Sequence, residues 1–274
     1  MADGWHAELD LWFANSHGKT RLMRRRHVGP LAVQRAFHPE DDGSAHVYIL
    51  HPPGGVAGGD VLNITCGLAP EARCVLTTPG ATKFYRSEIG TSTQRMRIDV
   101  GAGAVCENLP QETILFEGAD ASISTSVTLG EDAAYVGWDF VSLGRPAAGE
   151  GFASGRLAQR VEILRGDELI WFERMAFSRA PDVLDAPVFF AGKPIVGTMV
   201  YAGPALENTV QHIRDELGDQ ARGVFSASQL ERVIVCRYLG NRMSEGKALF
   251  LQAWSILRER GLMKKAVAPR IWAT

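Results

Sequence analysis

Cysteine is scarce in this chain of 274 residues: there are four, Cys66, Cys74, Cys106 and Cys236. None stands at Cys-x-x-Cys spacing, so a disulfide framework and a compact thiolate metal site both lack support. An excess of charge of one sign is also missing. With 29 Lys and Arg against 31 Asp and Glu the formal net charge is −2, which argues against a nucleic-acid binder, since these carry a strongly basic face. No basic and apolar leader opens the chain, and the most apolar long stretch, 187–206, is broken by Lys193, three prolines and three glycines that would interrupt a spanning helix. The expectation is a reduced, cytoplasmic protein with no membrane segment. Catalytic signatures are absent too. His17-Gly18-Lys19-Thr20 lacks the glycine that a P-loop needs five residues earlier, where Phe13 stands, and so reads as a short polar turn. No Gly-x-Ser-x-Gly elbow, His-Glu-x-x-His or i, i+4 histidine pair occurs among the seven histidines, which leaves only a site assembled from distant segments.

What is present is a core-forming globular composition, 46% hydrophobic and 22% charged, neither disordered nor membrane-like. The middle of the chain alternates. Over 94–100, Met96, Ile98 and Val100 oppose Arg95, Arg97 and Asp99, and 122–129 sets Ile123, Val127 and Leu129 against polar residues, so each strand buries one face. Further strands are expected at 45–50, 61–66, 133–143 and 233–239, between the prolines of 29–40, and as a hairpin of 157–164 with 168–175 across Arg165-Gly166-Asp167. Helical spacing comes late. Leu206, Val210, Ile213 and Leu217 share one face before Gly218, and 247–260 presents Phe250, Trp254 and Leu257 between a Ser244 cap and Gly261. The expected fold is mainly β, with stacked antiparallel or mixed sheets, sandwich-like or helicoid-like, and about two helices in the C-terminal third, all in a single domain over 1–274.

The punctuation is densest at His51-Pro52-Pro53-Gly54-Gly55-Val56-Ala57-Gly58-Gly59-Asp60, a sculpted turn between two strands. Asp60 at its end either locks the turn by an Asx-type hydrogen bond or presents a carboxylate to a ligand. Other carboxylates in apolar or strand-like surroundings are Glu107, Glu112, Asp139, Glu150 and Glu173. Each needs a partner or a path to water. Ordinary ion pairs with Lys83, Arg86 or Arg145 are one reading, and a polar channel holding a divalent cation weakly by oxygen is the other. Acid and base catalysis by paired carboxylates, as in a hydrolase or transferase, is the alternative function.

The motif HPPGGVAGGD, followed by TTPGATKFYRS at 77–87, and then PQETILF, GWDF and GRPAAGEGF in order, resembles the urease accessory protein D family (UreD, or UreH) over nearly the whole chain. The resemblance implies a non-enzymatic chaperone scaffold for nickel insertion during urease maturation. It implies work with UreF-like and UreG-like partners, the latter a GTPase, docking on apo-urease, and dimeric assembly through the UreF-like protein. No tightly bound cofactor is implied, only nickel in transit through a tunnel. Asp60, Asp139 and Glu173 are the candidate lining residues, while Trp254, Ile271 and Trp272 are the candidate partner contact.

Overall fold

The strict alternation of Ala119–Leu129, buried at every second residue, and the nearly unbroken burial of Ala134–Leu143 mark two kinds of strand. They belong to two stacked sheets. The computed structural model of the chain describes residues 4–178 and 184–273; residues 1–3, within the N-terminal stretch read for a leader, lie outside these.

The first sheet has seven strands in the order β14 (Glu168–Ser178), β13 (Gly155–Arg165), β11 (Ala119–Leu129), β8 (Ser92–Val100), β5 (Val61–Leu68), β1 (His6–Ser16) and β2 (Lys19–Val28). The second has ten. Eight run in the order β16 (Val224–Leu230), β17 (Val233–Gly240), β15 (Ile195–Ala202), β12 (Ala134–Leu143), β9 (Val105–Asn108), β6 (Arg73–Thr77), β4 (Ala45–Leu50) and β3 (Ala32–Val33), and β10 (Thr113–Leu115) bridges β12 to β7 (Thr82–Phe84) off that path.

From β4 to β13 the chain crosses back and forth between the sheets. Successive arrivals lie side by side in the same direction, so β5, β8, β11 and β13 pair in parallel in one sheet and β4, β6, β9 and β12 in the other. Antiparallel hairpins close the ends, β1 with β2 and β13 with β14. Of the two forms expected, the helicoid is the one adopted. Parallel strands are stable when both faces are covered. The second sheet meets that condition by packing the first sheet on one side and the helices Thr209–Leu217 and Met243–Gly261 on the other, where Trp254, Phe250 and Ile213 pack on Val136, Trp138 and Tyr238. The first sheet has only its inner face covered, and its outer positions, such as Ser122, Ser124 and Ser126, are polar.

Two local expectations are corrected and one is refined. Ser244 is not the cap of the long helix: Arg242 holds that position in extended backbone, the helix begins at Met243 and no side chain caps it. Gly218 follows the last residue of the short helix as expected, but not in the left-handed form of a glycine cap: its φ of −58° is right-handed and the chain tightens into a 3-10 turn over Gly218–Gln220. The stretch between the prolines of 29–40 forms only the two-residue β3. His17-Gly18 is the tight turn of the β1–β2 hairpin, both with positive φ. All four cysteines are free and buried. Among the described residues no helix is long and apolar enough to cross a membrane.

Candidate functional site

The strand register sets two neighbouring rows across the inner face of the first sheet, Leu62–Gln94–Ile123–Gln159–Met175 and Ile64–Met96–Thr125–Val161–Glu173. Polar residues sit among apolar ones in each. Facing them, β12 turns Tyr135, Gly137, Asp139 and Val141 inward, and the sheets do not close completely there. Two cavities of about 290 and 300 Å³ lie between them. The first is walled by Gln94, Met96, Thr125, Asn108 and the loop Thr77–Lys83, and the second by Tyr135, Gln159, Glu173, Thr198 and Arg237. Asp139 lines both.

Asp139 lies deep in the fold and is only half-buried because it opens on these cavities. Burial, with the negative charge of Glu173 beside it, pushes its pKa up to about 6. Glu173 itself is held by Arg237, whose guanidinium also lies over the Trp171 ring at 5.9 Å. Gly137 has no side chain for a steric reason: a Cβ there would stand 2.1 Å from the Tyr135 hydroxyl oxygen, which fills that space. Among the described residues no three His, Cys, Asp or Glu side chains converge as a metal-binding group. The oxygen-bearing side chains of the cavities are therefore spread along the walls and not gathered at one point.

The glycine-rich turn is the lip of the first cavity. His51, Gly54 and Gly55 line it together with the Thr77–Lys83 loop. Gly55 is required by close approach, since a Cβ would fall 2.2 Å from the Tyr85 ring. Asp60 lies apart. It is 7% exposed and lines neither cavity. Its Oδ1 accepts the Trp5 N–H at 2.7 Å and its Oδ2 the Ala57 N–H at 2.8 Å. Of the two roles expected for it, these bonds are those of the lock. His51 was not singled out in the sequence, although it opens the motif. Burial lowers its pKa against the opposing pull of Asp60, so at neutral pH it presents a neutral imidazole, the form that binds metal.

The other carboxylates go elsewhere. Glu150 pairs with Arg145 on the surface and Glu112 with Lys247 of the long helix. Glu107 is 1% exposed and meets Arg258, which is 0% exposed, through two hydrogen bonds of 2.7 Å; the Trp254 indole N–H donates to it at 2.7 Å. Arg258 also donates to Glu40 at 3.0 and 2.9 Å, His46 Nε2 lies 2.6 Å from the same carboxylate, and Lys264 approaches at 3.2 Å. Burial alone would raise the pKa of Glu40, but the bonds from His46 and Arg258 and the charge of Lys264 hold it well below the usual range. Trp254 is thus an interior residue, 1% exposed and edge-on to Trp138. Ile271 and Trp272 are half-buried, and the Trp272 indole donates to Thr77 Oγ1 at 2.9 Å.

Comparison with known proteins gives the family of the chain. A family model described as UreD urease accessory protein matches residues 6–273. The chain is 64% identical over 274 residues to urease accessory protein UreD 2 of Brucella anthropi, covering 100% of both chains. It is 42% identical over 277 residues to urease accessory protein UreD of Dechloromonas aromatica, covering 98% of this chain and 95% of that one. The corresponding protein of Janthinobacterium sp. is 41% identical over 270 residues, with 98% and 91% covered. With nearly the whole chain matched at these identities, the protein belongs to the UreD urease accessory protein family.

Proposed function

We propose that this chain is a non-enzymatic scaffold of urease maturation which passes nickel, as cargo, through the space between its sheets. In this reading it assembles with UreF-like and UreG-like proteins and docks them on apo-urease in the cytoplasm. The family membership supports the maturation role. The observation that carries the path is Asp139, one carboxylate facing two cavities, with Glu173 in the second and the neutral His51 on the wall of the first. Nickel is held firmly by converging imidazoles or thiolates. Oxygen ligands met one at a time bind weakly, which suits transfer. A divalent cation would also relieve the mutual repulsion of Asp139 and Glu173. Asp60 supports the passage indirectly, by fixing the turn that carries His51, Gly54 and Gly55.

The test is Asp139→Asn in the full chain, co-expressed with apo-urease and the other accessory proteins. The assembly is expected to form as before while nickel per urease falls, roughly tenfold if the carboxylate is the main stepping point. Unchanged nickel loading would remove Asp139 from the path. The same pair of acids also meets the first requirement of acid and base catalysis. Turnover of an ester, amide or phosphate by the purified chain alone, abolished in Asp139→Asn, would favour that reading over transport.

A further inference from the structure

At the far edge of the first sheet, β2 carries Lys19, Arg21, Arg24, Arg25 and Arg26 and no acid, five of the 29 basic residues of a chain whose net charge is −2. The two acids opposite, Glu8 and Asp10 on β1, both bind Arg26, at 3.1 and 3.0 Å. Lys19, Arg21, Arg24 and Arg25 have no ion pair among the described residues. The strand pairs only with β1, and beyond Thr20, whose N–H reaches Gly43, no backbone hydrogen bond outside that ladder is present for β2 among the described residues. Its register slips between Trp12 and Phe13, so that Met23 is bulged out, and every residue from Met23 to Val28 is exposed. Four large apolar residues surface on the same strip, Trp5 (58%), Trp12 (40%), Met23 (59%) and Val28 (44%).

Basic residues on an open edge ordinarily keep sheets from joining one another. That role accounts for the arginines but not for two tryptophans and a methionine in water beside them. Trp, Met and Arg together are the composition of protein-binding surfaces. We propose that the β1–β2 edge is a docking strip for an acidic extended segment of a partner protein, added to β2 as a further strand. The segment's carboxylates would answer Arg21, Arg24 and Arg25, its alternate apolar side chains would cover Met23 and Val28, and its backbone would complete the open ladder. A nucleic acid would satisfy the charges and leave the ladder unmade. This strip is separate from the cavities, so the proposal stands or falls independently of the nickel path.

The probe is a fluorescein-labelled peptide of alternating Glu and Val, matched to β2 in length, titrated against the full chain by anisotropy at low and high salt. A Lys-Val peptide and a single-stranded oligothymidylate serve as controls. Binding of the Glu-Val peptide alone is expected, weakened by salt and roughly tenfold or more by Arg24→Glu with Arg25→Glu, with thermal melting showing the variant folded. Amide exchange on the unaltered protein needs no substitution, and it should slow over 21–28 when the peptide is added. No binding, binding without that protection, or tighter binding of the oligothymidylate would overturn the proposal. So would sedimentation showing a dimer of the chain that the double variant dissolves, because the edge would then belong to a second copy.

Discussion

Two groups of buried acids lie in this protein, and their surroundings treat them in opposite ways. Around Arg258, Glu40 and Glu107 meet two cations, an imidazole and an indole N–H, and Glu40 stays ionised well below its usual range. Between the cavities, burial and the proximity of Glu173 raise Asp139, whereas Arg237 is bound to Glu173. In the first arrangement all four carboxylate oxygens are partnered, although His46 Nδ1 is buried without a hydrogen bond among the described residues. In the second, Asp139 has no ion pair among the described residues, and under the proposed transport reading a cation from outside would take that place. Whether a buried carboxylate is held ionised or pushed towards its neutral form thus depends on the balance of its neighbours.

The comparison breaks hardest at Arg258. Arg258→Met would leave Glu40 and Glu107 buried with Lys264 as their main cation, and a loss of about 3–5 kcal/mol is expected in urea unfolding. The cost should shrink if Glu107→Leu is added. Next in size is the response to acid, where the two regions carry opposite signs. Glu40 is lowered, so its contribution is full above its ordinary 4.5 and is lost as pH falls below that value. Asp139 is raised from 3.8 to about 6, so it disfavours the fold once ionised, and stability is recovered as pH falls through that window. The contribution of Asp139 should therefore rise from pH 7 towards 5, against the loss that the lowered His51 causes in the same range, and that of Glu40 should fall below about 4.5. In Asp139→Asn the first change should vanish, with stability at pH 7 higher by about 1–2 kcal/mol, a value reduced for the water in the cavities. The smallest effect belongs to Asp60→Asn, which keeps an acceptor for one N–H but weakens the pair, costing about 1 kcal/mol. If Asp60 acts only as the lock, nickel per assembled urease should be unaltered by it, and a drop without loss of assembly would return Asp60 to the path.

The one-sided alternation of β11 and the apolar run of β12 were readable because each is local. The β13–β14 hairpin was equally plain from Gly166 between its strands. The crossing of the chain between sheets was not, because parallel pairing joins segments that no local pattern connects. The same limit hid the division among the acids. Glu107 and Asp139 look alike in sequence, and the group that separates them, Arg258, lies 151 residues beyond Glu107. Ser244 failed as a cap because the helix starts one residue earlier on Met243. Asp60 was legible as a lock, since one of its two partners, Ala57, is only three residues away.

The last turn of the chain, Arg270–Ala273, is anchored by Trp272 to Thr77, and the Thr77 hydroxyl in turn donates to the Leu109 carbonyl at 2.6 Å. Thr77 lies on the wall of the first cavity, and Trp138 is tied to Pro110 beside it. Two hydrogen bonds in succession thus run from the C-terminal tail through Thr77, on the wall of an internal space, to Leu109. The end of the chain is fastened to the cavity wall, and displacing Trp272 would remove the donor that holds Thr77, a residue of that wall.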